Sequence, residues 1–296
     1  MKKRPSATLS YVNSLQGDGR RTQLQALRVV ASIILGRPIR RVENVAWHRM
    51  TYEDSARVRE AVAKKYAPAT ANRMIAALRA VFLESWRLGL MDRDTYERAH
   101  DVRNIRHEDL GRGRALEDHE LEAMYEGTHH FDGARGARNR AVLALLHYGG
   151  LRRGEVIRLQ RSDLHLDRDE LTVHGKGARQ RAVFLGEGLV YLREWIATRG
   201  DTPGPLICKV EDGSLDPFTE SGIYRLVTSL ARDAGLAPAT PHDLRRTCAT
   251  RLLELSGDML LVGQFLGHRK PETTKLYDKR GLGHLRKLQA RMKVRG

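Results

Sequence analysis

Apolar positions in the first hundred residues recur at the spacing of an α-helix in three segments, 21–35, 51–66 and 70–88. The third pattern is the clearest, with a stripe of Met74, Leu78, Val81 and Leu88 beside Ile75, Phe82 and Trp86. We expect Thr70 to cap the beginning of that helix and Gly89 to end it. Residues 5–105 therefore predict an all-helical domain.

A second region follows a polar, glycine-containing stretch without periodicity, which we assign as an interdomain linker at 107–114. Helical patterns resume at residue 116, with one exception. Two short runs, 171–174 and 182–185, flank a glycine-rich basic segment and predict a β-hairpin. The chain is therefore expected to be mainly α with a small β-sheet, with a helical domain at 1–106 and a mixed α/β, mostly helical domain at 115–296.

Charge narrows the choice of partner. The chain has 296 residues, enough for two domains, and carries 52 Lys and Arg against 36 Asp and Glu. Both ends are basic: residues 1–41 hold nine Lys and Arg against the single Asp18, and residues 268–296 hold ten against two acidic residues. This balance favours a polyanion such as nucleic acid as partner, although a basic protein with no such role would show the same counts.

Membrane, metal and secretory signals are weak in this sequence. The two cysteines, Cys208 and Cys248, are expected to be reduced thiols, and no apolar run approaches the length of a membrane span. His119-Glu120 has no second histidine at residue 123 to complete a zinc signature, and Gly175-Lys176 is not a phosphate-binding Walker loop. We therefore expect a cytoplasmic protein without cofactor or metal and without membrane contact.

The C-terminal half holds a set of residues suited to metal-free phosphoryl transfer. Arginine stays protonated and donates paired hydrogen bonds to phosphate oxygens, while lysine and histidine supply protons and tyrosine can attack phosphorus. The motifs are Gly-Leu-Arg-Arg-Gly-Glu at 150–155, Gly-Lys-Gly at 175–177, His-Asp-Leu-Arg at 242–245 and Leu-Gly-His at 266–268, with a tyrosine nine residues later. The candidates are Arg152, Lys176, His242, Arg245, His268 and Tyr277.

The order and spacing of these motifs resemble those of the tyrosine recombinase (phage integrase) family, and the chain is similar to its compact, Xer-like two-domain members. The resemblance implies a SAM-like core-binding domain, in which Asn72, Arg73 and Arg79 would face DNA, ahead of the catalytic domain. It also implies a site-specific recombinase that acts on duplex DNA with an inverted-repeat site. Such an enzyme forms a tetramer on DNA from subunits that are monomers when free.

The same resemblance implies a role for each candidate residue. Arg152 and Arg245 would clamp the phosphate, Lys176 would protonate the leaving 5′-oxygen, and His242 and His268 would donate to the phosphate or relay a proton. Tyr277 would be the nucleophile and form a 3′-phosphotyrosyl intermediate, without metal or ATP. The tail at 282–296 has an apolar face that would dock on a neighbouring subunit.

Several alternatives stay open from the sequence. Arg153 and Arg246 compete with their neighbours for the phosphate, and only the motif register favours the first of each pair. Glu155 could hold Arg152 or His242, or form an ordinary helix ion pair, and Arg179 could assist Lys176. The tail could fold back on its own domain. A type IB topoisomerase-like nicking and resealing enzyme, and a non-catalytic DNA-binding protein, are the rival functions.

Overall fold

The computed structural model describes residues 6–15, 19–106, 113–175, 180–210 and 215–267. The chain divides into two compact units, Met1–Leu110 and Gly111–Gly296, and each has a hydrophobic core of its own. Six residues of the predicted linker, 107–112, lie outside the described residues, as do Lys176 and the segment 268–296.

The first unit is built around one long helix. Its helices are α1 (Ala7–Asn13), α2 (Gly19–Leu35), α3 (Tyr52–Lys65), α4 (Pro68–Arg87) and α5 (Arg93–His100). The other four all pack against α4, whose buried face includes Ile75, Leu78 and Phe82. Short 3₁₀ turns at Val42–Asn44 and Trp47–Arg49 join α2 to α3, so this stretch is not α-helical. The predicted helices at 21–35 and 51–66 are confirmed as α2 and α3.

The expected cap of α4 is wrong at one end. The helix begins at Pro68, two residues before Thr70, because proline has no N–H to satisfy and its fixed φ suits the first helical position. The other end is as expected. Gly89 adopts a φ of +67° and donates its N–H to Trp86 O at 2.9 Å, while Leu90 N reaches Ser85 O at 2.9 Å. This is a Schellman motif, which satisfies the last carbonyls of the helix.

Two residues that the resemblance assigned to DNA hold the protein's own backbone in this structure. The Asn72 side chain brackets Ile105, accepting from its N–H at 2.7 Å and donating to its carbonyl at 3.0 Å. Arg79 donates to Val102 O and, at 3.0 Å, to Asn104 Oδ1. Both side chains therefore fix the segment that follows α5, whereas Arg73 is exposed.

The second unit is mostly helical with a three-stranded antiparallel sheet, which confirms the expected fold class. In chain order its elements are α6 (Asp118–Glu126), α7 (Gly133–His147), α8 (Arg153–Val156), β1 (Leu164–His165), β2 (Glu170–His174), β3 (Gln180–Phe184), α9 (Leu189–Arg199), α10 (Glu220–Asp233), α11 (Pro241–Ser256) and α12 (Met259–Leu266). Helix α7 is almost wholly buried and contacts α8, α9, α10 and α11.

The predicted hairpin is confirmed as β2 and β3. Val173 pairs with Arg181, and His174 pairs with Gln180 at the end of the ladder nearest the turn. His174 Nε2 also lies 2.9 Å from Asp163 Oδ1, and its Nδ1 lies 3.3 Å from Gln180 Nε2. These contacts fix the base of the segment that contains Lys176.

One buried histidine in α7 should make stability depend on pH. His147 is 5% exposed and packs between the rings of Tyr125 and Tyr148. Burial, reinforced by the charge of Arg251, lowers the pKa of His147 from 6.5 to about 4. Because Arg251 Nη1 approaches His147 Nε2 at 3.4 Å, the neutral ring accepts at Nε2 and carries its proton on Nδ1.

We predict that His147→Phe flattens the acid side of the stability profile. Between pH 6.5 and 4, His147 is protonated in the unfolded chain but stays neutral in the folded one. Its contribution to the free energy of unfolding is therefore complete above pH 6.5 and is lost as the pH falls toward 4. The loss should reach about 3 kcal/mol across that window. Urea unfolding at several pH values measures it, with exposed His119→Gln as the control that keeps the wild-type slope. An unchanged slope in His147→Phe would contradict the assignment.

Candidate active site

The turn after α7 delivers Arg152 to the site. Gly150 has a φ of +58°, and a Cβ there would lie 2.6 Å from Leu266 Cδ2 and 3.1 Å from Cys248 Sγ. Only glycine therefore fits this close approach. Leu151 is buried in the core, and Arg152 then stands at the N-cap of α8, 46% exposed at its side chain.

Glu155, three residues after Arg152, accepts hydrogen bonds from two arginines. Its carboxylate accepts from Arg152 N at 2.9 Å and from Arg152 Nη1 at 2.8 Å. Arg181 forks onto the same two oxygens at 3.2 and 3.0 Å. Glu155 therefore holds the Arg152 guanidinium, which was one of the alternatives from the sequence, and Arg181 is a further partner that the sequence did not identify.

The environment of Glu155 keeps it ionised. Its side chain is 4% exposed, and burial alone would raise its pKa. The hydrogen bonds from Arg181 and from the Arg152 backbone, with the charges of both arginines, outweigh burial and lower the pKa of Glu155 from 4.5 to about 2. The site thus contains a permanent buried anion surrounded by guanidinium groups.

Arg245 approaches the same centre from α11. Its guanidinium donates to Gly150 O and, at 2.8 Å, to Leu266 O, and its side chain is 2% exposed. Its Nη1 lies 3.9 Å from Glu155 Oε2. The structure therefore brings Arg152 and Arg245 together around one carboxylate.

The C-terminal end of α12 faces these arginines. Its last carbonyls accept one guanidinium each: Phe265 O from Arg181 Nε at 2.8 Å, Leu266 O from Arg245 Nη2 at 2.8 Å, and Gly267 O from Arg152 Nη2 at 3.4 Å. Carbonyls at a helix end have no partner within the helix and carry partial negative charge, so cations stabilise them. This end of α12 leads directly to His268.

The structure separates Arg152 from its neighbour Arg153. Arg153 points to α10, with its guanidinium carbon 5.6 Å from the centre of the Tyr224 ring and Nη2 4.0 Å from Glu220. Arg152 is thus the member of this pair that joins Glu155, while its choice over Arg153 as the phosphate ligand stays a prediction.

His242 lies on the first turn of α11, three residues before Arg245. Partial desolvation, followed by the charges of Arg245 and Arg246 and a weaker contribution from Arg152, lowers the pKa of His242 below 6.5. Asp243 acts in the opposite direction. At neutral pH the imidazole is therefore uncharged, able to donate through one nitrogen and accept through the other.

Asp243 fixes the start of α11. It accepts from Thr240 N at 2.8 Å in a capping box, and from Arg114 N at 3.0 Å. Leu116 N donates to Thr247 Oγ1 at 2.8 Å one turn further along. The segment that enters the second unit is thereby bound to the helix that carries His242 and Arg245.

Three of the six candidate residues, Lys176, His268 and Tyr277, lie outside the described residues, and so does Arg179. Arg152, His242 and Arg245 are described. Arg181 is the residue that sequence reasoning missed, and strand alternation was the signal available. Arg181 lies on the same face of β3 as buried Val183, two residues along the strand. An arginine that faces the core needs a buried hydrogen-bond acceptor, which predicts a partner such as a carboxylate.

Two further features are absent from the described residues. These residues contain no group of three or more His, Cys, Asp or Glu placed to hold a metal ion. Among the helices in the described ranges, none is long and apolar enough to cross a membrane.

Known proteins resemble this chain in both sequence and structure. The profile of the phage integrase family matches residues 114–281. Tyrosine recombinase XerD of Xanthomonas axonopodis pv. citri (strain 306) is 31% identical over 248 residues, 78% of each chain. Tyrosine recombinase XerA of Thermococcus kodakarensis is 33% identical over 159 residues, which are 53% of this chain and 56% of that protein.

Two solved structures share the fold. The XerH site-specific recombinase bound to difH substrate matches with a TM-score of 0.69 at 21% identity, covering 94% of this chain and 80% of that one. The Tn1549 transposon integrase in complex with transposon right end DNA matches with a TM-score of 0.71 at 15% identity, covering 97% and 99%. The family profile spans more than half of the 296 residues, and the XerD relative aligns over more than three quarters of them. The chain therefore belongs to the phage integrase family.

Proposed function

We propose that this chain is a site-specific DNA recombinase that cleaves and rejoins strands through a covalent 3′-phosphotyrosyl intermediate on Tyr277. The convergence of Arg152 and Arg245 on Glu155 is the observation that supports this proposal most directly. The relatives named as tyrosine recombinases, and the neighbours whose structures contain DNA, support it further.

The arginines would meet the main electrostatic demand of the reaction. A phosphodiester carries one negative charge and its pentavalent transition state carries two, spread over the non-bridging oxygens. Arg152 and Arg245 remain protonated at any working pH and can donate to both oxygens. The Glu155 carboxylate offsets one of the three positive charges of Arg152, Arg181 and Arg245. The two positive charges that remain match the dianionic transition state.

Proton transfers complete the mechanism. The Tyr277 oxygen attacks phosphorus while its proton passes to a histidine, His268 or His242, and the bond to the 5′-oxygen breaks. Lys176 donates a proton to that leaving oxygen. A 5′-hydroxyl from a partner strand then attacks the phosphotyrosine and releases Tyr277, so the bond energy is conserved without ATP.

The partner would be duplex DNA with an inverted-repeat site, and the net charge of +16 supports binding to its phosphates. We further propose that four subunits assemble on two such sites and that the free protein is a monomer. A chain that acts on DNA in this way would work in the cytoplasm. A topoisomerase-like enzyme would relax one DNA without joining two, and a non-catalytic DNA-binding protein would form no covalent complex.

The nucleophile is tested by Tyr277→Phe. A duplex recovered from a random pool by repeated binding to the full chain, then nicked beside the cleavage position, serves as substrate. Wild type should form an adduct that survives denaturant, whereas Tyr277→Phe should bind the same duplex and form none. Tyr224→Phe is the matched control and should keep the adduct, since Tyr224 is exposed against Arg153. An adduct on Tyr277→Phe would move the nucleophile to Tyr224 or Tyr191.

Chelation tests the proposed role of the arginines. Because guanidinium groups would supply the charge stabilisation that a metal supplies elsewhere, cleavage of the nicked duplex should proceed at the same rate in excess EDTA. The measurement is adduct formation over time with and without EDTA. Loss of cleavage on chelation that magnesium restores would contradict the tyrosine mechanism.

Tail docking is tested by the double variant Leu285→Asp with Met292→Asp. If residues 282–296 dock on a neighbouring subunit through their apolar face, the variant should bind a half-site as wild type does. It should lose cooperative pairing on the full site, and strand exchange should fall. Gel shifts on half and full sites measure both. Normal assembly and exchange by the double variant would show that the tail acts within its own subunit or through its charge alone.

A further inference from the structure

Arg181 has no place in the proposed reaction, yet its guanidinium is the one that contacts both oxygens of the Glu155 carboxylate. Its Nη1 and Nη2 reach Glu155 at 3.2 and 3.0 Å, and its Nε holds Phe265 O at 2.8 Å. The side chain is 14% exposed. All three nitrogens of the guanidinium thus contact groups of the protein itself, and two of them hold Glu155.

The remaining arginines are less committed to Glu155. Arg152 contributes a single guanidinium nitrogen, at 2.8 Å, and the Nη1 of Arg245 stays 3.9 Å away, beyond hydrogen-bond distance. A carboxylate accepts about four hydrogen bonds. The Arg181 fork and two donors from Arg152, its backbone N–H and Nη1, already supply that number.

We propose that Arg181 is a positioning residue: it holds Glu155 so that this carboxylate does not draw Arg152 and Arg245 away from the scissile phosphate. This inference rests on the proposed function. Arg181 touches neither the phosphate nor the nucleophile in this role. It acts by occupying the anion that would otherwise compete with DNA for the two clamping arginines.

Removal of Arg181 should redirect its neighbours. A carboxylate that is 4% exposed cannot turn to water, so it must find another cation or take up a proton. Arg245 needs to move its Nη1 by only about one ångström to come within hydrogen-bond distance of Glu155. Arg152 can swing its Nη2 from Gly267 O onto the same carboxylate. Both movements withdraw positive charge from the phosphate.

Arg181 packs closely against the backbone of Gly267. A Cβ on Gly267 would lie 3.0 Å from Arg181 Nη1 and 3.2 Å from its Cζ, and Gly267 has a φ of +67°. The absence of a side chain at Gly267 therefore leaves space for the Arg181 guanidinium. Lysine would retain the charge but could not reach both carboxylate oxygens and Phe265 O at once, since it has a single nitrogen.

The test compares Arg181→Gln with wild type on the selected, nicked duplex, carrying either an ordinary phosphate or a methylphosphonate at the cleavage position. On the ordinary duplex the variant should bind normally and form the tyrosine adduct about 100-fold more slowly. A methylphosphonate has one charge fewer and depends less on the arginine clamp, so the deficit there should shrink below about tenfold. A deficit of equal size on both substrates, or none on either, would overturn the proposal.

A second variant separates competition by Glu155 from damage to the fold. In Glu155→Gln with Arg181→Gln the carboxamide no longer claims a cation, so the pair should cleave the ordinary duplex at least about tenfold faster than Arg181→Gln alone. No rescue would assign Arg181 a purely structural role through Phe265 O. If Arg181→Gln is insoluble, the double variant, which has no orphaned buried charge, is compared with wild type on both duplexes; it should cleave each within about tenfold of the wild-type rate, and a larger deficit would overturn the proposal.

Arg140→Gln is the matched control. Arg140 is 12% exposed and forks onto Glu194 through Nε at 2.9 Å and Nη2, a pair that joins α7 to α9 outside the cluster. It should cleave both duplexes as wild type does. Absence of an adduct with wild type itself would refute the proposed function, an outcome distinct from any result that concerns Arg181 alone.

Discussion

The structure of the candidate site depends on a single buried anion, Glu155. A carboxylate with almost no solvent access is stable only when fully hydrogen-bonded, and this one is satisfied by donors from α8 and β3, with Arg245 of α11 close by. Elements far apart in the sequence are therefore held in one place by one charge. The hydrogen bonds make ionisation easier than in water, which is why the pKa of Glu155 falls to about 2 although burial opposes it.

The charge balance at this centre explains how like charges can be packed so closely. Three guanidinium groups would repel each other strongly in a medium of low dielectric. The Glu155 carboxylate offsets one of them, and the carbonyls of Phe265, Leu266 and Gly267 place the negative end of α12 against all three. The remaining positive charge is stabilised by the protein itself, so under the proposed function the phosphate would meet a preorganised site rather than one assembled by its own binding.

Sequence reasoning reached the fold and the motif residues but not the connections between them. Helical periodicity located α2, α3 and α4 because their apolar stripes face one core. The hairpin was located by two short runs of strand-forming residues on either side of a glycine-rich segment. Thr70 failed as a cap because Pro68 competes for the start of the same helix. The role of Arg181 depends on a contact with Glu155, 26 residues away in the sequence. Local patterns contain no information about such a pairing.

The glycines of two motifs follow from the same long-range geometry. Gly150 packs against Leu266 so closely that a methyl group would overlap it, and Arg245 donates to the carbonyls of both residues. At Gly267 the contact is less severe, since a Cβ there would lie 3.0 Å from Arg181 Nη1. The turn before Arg152 thus packs directly on the end of α12, and the two hydrogen bonds of Arg245 connect them. Both glycines have positive φ and a close neighbour, Leu266 for Gly150 and Arg181 for Gly267, so local packing accounts for them without a chemical role of their own.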